Sequence, residues 1–143
     1  MGKLEHEKVV LTKVVGLVDY FRLQLQNDGT IGEITTSIHP DGKHVYIGTS
    51  VEGNSDNISC IGIIALLDEG KVYVLNGKSR LVKSMDMNGT GSPTLSCKGE
   101  PCAACSVSFI ETAPFVKCDC SSPDCKDCNC NMTISMKTDM DLE

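Results

Sequence analysis

From Ser59 to Leu67 the chain reads SCIGIIALL, apolar at nearly every position. Such a run is expected of a strand with both faces covered, which places it at the centre of a sheet. Strand-like runs flank it. His44 to Thr49 follows the turn Pro40-Asp41-Gly42, and the polar loop EGNSDN joins it to the apolar run. The turn Asp68-Glu69-Gly70 then leads into KVYVLNG. Short strands separated by Gly, Asp and Asn predict an antiparallel meander of four to six strands.

Earlier positions follow other periods. Leu4, Leu11, Val14, Val15 and Val18 suit one face of a short N-terminal helix over residues 3–15. Phe21, Leu23 and Leu25 alternate with Arg22, Gln24 and Gln26, which predicts a half-buried strand closed by Asn27-Asp28-Gly29. The expected fold is therefore mainly β, or at most α+β. NGTGSPTLS, residues 88–96, reads as a boundary. It divides a β-meander domain at 1–90 from a cysteine-rich metal-binding segment at 91–143. In the tail, Met132, Ile134 and Met136 alternate as a last edge strand or a frayed end.

Composition excludes several functions. The net charge of −6, with no basic run, argues against a nucleic-acid partner. The longest apolar stretch, Ile61 to Leu67, is too short to span a bilayer. The N-terminus lacks the apolar h-region of a secretory signal, so a cytoplasmic chain is expected, with an exported form as the alternative. No Gly-rich phosphate loop, HExxH or GxSxG is present, so the chain is not expected to be an enzyme.

The distinctive chemistry lies in the cysteines, eight of the nine falling between Cys97 and Cys130. The unit C-x4-C-x2-C occurs twice, as Cys97-Cys102-Cys105 and as Cys120-Cys125-Cys128. Cys118 and Cys130 supply a fourth ligand to each, giving the tetrads Cys97, Cys102, Cys105, Cys118 and Cys120, Cys125, Cys128, Cys130. Four thiolates suit an iron–sulfur cluster or zinc. The same eight cysteines would make four disulfides in an exported chain. Cys60, alone at the start of the apolar run, reads as a small buried hydrophobe.

SCKGEPCAACS, residues 96–106, resembles the cluster-binding loop of plant-type 2Fe–2S ferredoxins. A basic residue follows the first cysteine, a Gly lies in the x4 gap, and small residues separate the last two cysteines. The same region is similar to small cysteine-rich bacterial proteins. The ferredoxin resemblance implies one or two iron–sulfur clusters, electron transfer and a redox partner protein. The alternative is a structural or interaction module stapled by zinc or disulfides, with edge strands free to pair with another copy.

Overall fold

In the computed structural model, residues 2–6, 8–12, 14–74, 94–100, 102, 105–112, 115–120 and 128–135 are described. The protein is mainly antiparallel β, with one helix among the described residues and a curled sheet. The apolar run becomes β6 (Ile58–Asp68) at its centre. On one side β6 pairs along its length with β5 (His44–Glu52), which also carries β3 (Thr30–Ile31) and β4 (Thr35–Ile38). Its other edge is shared. Leu66 to Asp68 pair with β7 (Lys71–Tyr73), while the stretch from Ile58 to Ile63 pairs with β8 (Thr94–Glu100). The hairpin β1 (Gly2–Glu5) and β2 (Lys8–Leu11) extends the sheet beyond β7, and β11 (Asn129–Ser135) extends it beyond β8.

The pleat sends alternate residues of β6 to opposite faces. Ile61, Ile63 and Ala65 join Val45, Ile47, Val51, Val72 and Val74 in one core. Ile64 and Leu66 join Leu95, Phe115 and Val116 in a second core on the other face. The two-faced burial expected of this strand is thus observed, each large side chain gaining roughly 1.5–3 kcal/mol from burial.

The first core is capped by α1 (Val14–Gln24). This corrects both N-terminal expectations. Gly2–Glu5 and Lys8–Leu11 form strands β1 and β2, and the helix begins at Val14. Phe21 to Leu25 is not a strand. Leu17, Tyr20, Phe21 and Leu25 are buried, whereas Leu23 is 60% exposed. The operative spacing is i, i+3, i+4, i+8, a helical stripe. The apparent alternation came from Leu23, which faces water. Gln26 at φ 54° ends the helix, with Asn27 N–H donating to the Arg22 carbonyl and Gln26 N–H to the Leu23 carbonyl. That is the Schellman arrangement, built here on a Gln instead of the usual Gly. Tyr20 Oη and Thr94 Oγ1, 2.6 Å apart, tie the helix to β8.

The boundary at 90/91 lies outside the described residues, but both sides of it share one sheet. β8 and β11 come from the cysteine-rich segment and pair onto β6 and β8. The expected tail strand is present as β11, with Met132 and Ile134 in it; Met136 lies outside the described residues.

Gly48 and Gly62 are directly opposite each other on β5 and β6, and the Tyr46 side chain lies across both. A Cβ at Gly62 would stand 2.5 Å from the Tyr46 ring. Gly62→Ala is therefore expected to destabilise the protein by about 1–3 kcal/mol through overpacking. Urea unfolding would show a lower midpoint at unchanged slope; an unshifted midpoint would contradict the packing described.

Candidate functional site: a cysteine hairpin stapled to the sheet

The second core needs a lid, and the lid is a two-stranded hairpin, β9 (Cys105–Phe109) and β10 (Val116–Cys120). Its sequence alternates. Cys105, Val107 and Phe109 stand opposite Cys120, Cys118 and Val116 in register, so all six share one face. Val107, Phe109, Phe115 and Val116 pack on Ile64 and Leu66. Ser106, Ser108, Lys117 and Asp119 take the opposite face, where the Ser108 hydroxyl donates to Asp119 Oδ2 at 2.5 Å. The C-x-C spacing of Cys118 and Cys120 thus acquires a cause: one intervening residue puts both sulfurs on the same side of a strand.

All three hairpin cysteines are bonded outward. Cys97 of β8 pairs with Cys118, Cys102 with Cys120, and Cys105 with Cys130 of β11. Their Cα–Cα separations of 5.7, 5.8 and 6.0 Å are ordinary for disulfides. Cys128 is also disulfide-bonded, and Cys125 lies outside the described residues. Cys105 and Cys120 face each other across the hairpin, yet each bonds a residue outside it. The two S–S bridges therefore run side by side, and the sulfurs of Cys102, Cys120 and Cys130 lie within 4.8 Å of one another.

Of the two sequence tetrads, the fold joins Cys97 to Cys118 within the first. The other two described bridges cross between tetrads, linking Cys102 to Cys120 and Cys105 to Cys130. The close sulfurs are likewise drawn from both. A disulfide sulfur is not a thiolate, so in this covalent state these six cysteines hold no metal or cluster; ligation requires reduction.

Gly99 has a structural reason beyond a sulfur-binding loop. A Cβ there would collide with the Cys102 carbonyl oxygen, so only Gly lets Cys102 approach the β8 backbone this closely. Asn57 secures the turn, its amide donating to the Gly99 carbonyl at 2.8 Å and the Cys102 carbonyl at 3.4 Å.

Cys60 is the free thiol among the described residues, and it is buried. It sits opposite Cys97 across the β6–β8 ladder. Burial pushes its thiol up to about 11, against hydrogen bonds from the Cys97 backbone and the Tyr46 side chain that lower it. A protonated, enclosed thiol is a poor nucleophile, in keeping with the hydrophobe role expected of it.

A polar latch at the hairpin's far end was missed by the sequence reading. Prolonged by the turn residues 39–44, β5 presents two buried histidines. His39 Nδ1 accepts from the Asp41 amide at 3.0 Å, which leaves Nε2–H to donate to the Ile110 carbonyl at 2.7 Å. His44 Nδ1 lies 2.7 Å from Asp41 Oδ2, and its ring stacks on Phe115 with centroids 3.9 Å apart. Phe115 adopts φ 74° to reach it. The signal in the sequence was HPDGKH itself, two histidines flanking an Asp-Gly turn.

Comparison with protein-family models, curated proteins and solved structures gives no match.

Asp41 links the latch to acid. Burial alone would raise its carboxyl, but the Lys43 amide, the His44 hydrogen bond and the nearby His44 and His39 rings together hold it below the ordinary value. A depressed carboxylate stabilises the fold fully above the ordinary Asp value of about 3.9, and that contribution fades as pH falls through the lower folded value. Stability measured by urea unfolding from pH 6 downward should therefore fall less steeply below about pH 4 in Asp41→Asn than in the parent. Parallel profiles would contradict the latch.

Proposed function

We propose that the chain is a non-catalytic β-sheet module, closed by disulfides and serving a structural or interaction role in an oxidising setting. The observation that carries this reading is that three bridges cross from one hairpin to the sheet strands β8 and β11 and to the Cys102 loop. Disulfides persist where thiols are not kept reduced, and they stabilise small domains whose apolar cores are thin. Each bridge closes a loop of 18 to 25 residues. Loops of that length contribute about 3 kcal/mol apiece in the chain-entropy account.

Two further observations support a non-catalytic role. The acid–base cluster His39-Asp41-His44 is spent on holding the hairpin. Among the described residues the sheet also has terminal strands at β2 and β11, besides β3 and β4 on β5, whose outer backbone can pair with another chain. Val10 and Ile134 put partly exposed apolar side chains on β2 and β11.

Electron transfer through one or two cysteine-ligated iron–sulfur clusters, with a redox partner protein, is the second reading. The observation in its favour is the proximity of Cys102, Cys120 and Cys130. It requires the reduced chain.

The two readings separate on the protein purified anaerobically, with neither oxidant nor reductant added. The module is expected to be colourless, to lack stoichiometric iron and acid-labile sulfide, and to lose several kcal/mol of stability when a thiol reductant is added. The paired change Cys97→Ala with Cys118→Ala should cost about 3 kcal/mol alone. A coloured protein with iron, sulfide and a stability indifferent to reductant would establish the electron carrier instead.

A further inference from the structure

We propose that Cys102, Cys105, Cys120 and Cys130 form a single zinc site when the chain is reduced, so that the hairpin is held either by two disulfides or by one ion. This rests on the disulfide pairing above and adds a second state of the same sulfurs.

The geometry comes from the hairpin register. Cys105 and Cys120 are directly opposite on adjacent strands, with side chains on the same face. Their partners, Cys130 on β11 and Cys102 after β8, approach from the sheet. Three of the four sulfurs already lie within 4.8 Å of one another, and the fourth, on Cys105, is one S–S bond from Cys130. A tetrahedral zinc thiolate has bonds of about 2.3 Å, which places its sulfurs roughly 3.8 Å apart. Breaking the two S–S bonds frees the four side chains to rotate toward one ion, Cys105 being the one outside the close group. Cys102 is fully buried, so the ion would be shielded on one side by the fold. A 2Fe–2S cluster spreads its thiolates in pairs over two irons and demands a wider set, which is why one ion is the better match.

The conversion balances with a dithiol reductant and zinc. Each of the two S–S bonds takes two electrons and two protons from one dithiol, which leaves as its own disulfide. The four thiols then bind one Zn²⁺ as thiolates and release four protons. Cys97–Cys118 belongs to neither step of the exchange. The sites divide across the two C-x4-C-x2-C units, not within them.

The test uses the full chain reduced anaerobically with a phosphine, then alkylated with a maleimide with and without one equivalent of Zn²⁺. Peptide mass spectrometry is expected to show that zinc lowers modification of Cys102, Cys105, Cys120 and Cys130 together, while the half-buried Cys118 stays reactive; Cys97 is buried by the sheet and is not used as a control. Cys120→Ser should lower zinc affinity by more than the roughly 10–100-fold cost of losing a supporting outer group, and Cys118→Ser should leave it unchanged. Protection that includes Cys118, protection confined to Cys128 and Cys130, or no protection at all would each overturn the proposal. The wild-type protection pattern decides the matter even where a variant fails to fold. The disulfides of the oxidised chain stand whichever way this result falls.

Discussion

The fold depends on one constraint: β6 is apolar on both faces and must be covered on both. Water on either side would strand Ile61, Ile63 and Ala65, or Ile64 and Leu66. The two covers are of different kinds. On one face α1 supplies Leu17, Tyr20, Phe21 and Leu25, enough apolar surface to dock a helix without covalent help. On the other, the hairpin offers only Val107, Phe109, Phe115 and Val116. An isolated two-stranded hairpin is marginal in water. Three disulfides and the histidine latch supply what its small apolar face does not.

The pattern of cross-links follows from strand geometry. A strand that faces a sheet presents every second residue to it, so a cysteine that must reach across recurs at i and i+2. Cys118 and Cys120 obey that rule, and Cys105 opposes Cys120 on the neighbouring strand. Bonding Cys105 to Cys120 would only have stitched the hairpin to itself. Bonding each outward ties the lid to β11 and to the segment after β8, and it brings two bridges side by side. The sulfur cluster is thus a consequence of closing the second core.

Much of this was legible in the residues. The doubly buried β6, the turns at Asp41-Gly42 and Glu69-Gly70, the tail strand and the burial of Cys60 all follow from local pattern. The N-terminal elements were not, because Phe21, Leu23 and Leu25 satisfy a period of two as well as Phe21 and Leu25 satisfy a period near four. Only the core decides which of them is wet. The repeated C-x4-C-x2-C unit invited a division into neighbours along the chain. Pairing is instead set by register: Cys102 and Cys120, which the repeat puts in different tetrads, meet because β9–β10 folds over β8. The latch escaped for a similar reason, since Ile110 and Phe115 lie some seventy positions after His39 and His44.

The central claim is that the hairpin closes the second core through bridges that run outward. Peptide mapping of the unreduced chain, alkylated after unfolding, tests it most directly. The account predicts linked fragments joining Cys97 to Cys118, Cys102 to Cys120 and Cys105 to Cys130, with Cys60 carrying the alkyl label. Labelled thiols at Cys97, Cys102 and Cys105, or a bond between Cys105 and Cys120 within the hairpin, would contradict it.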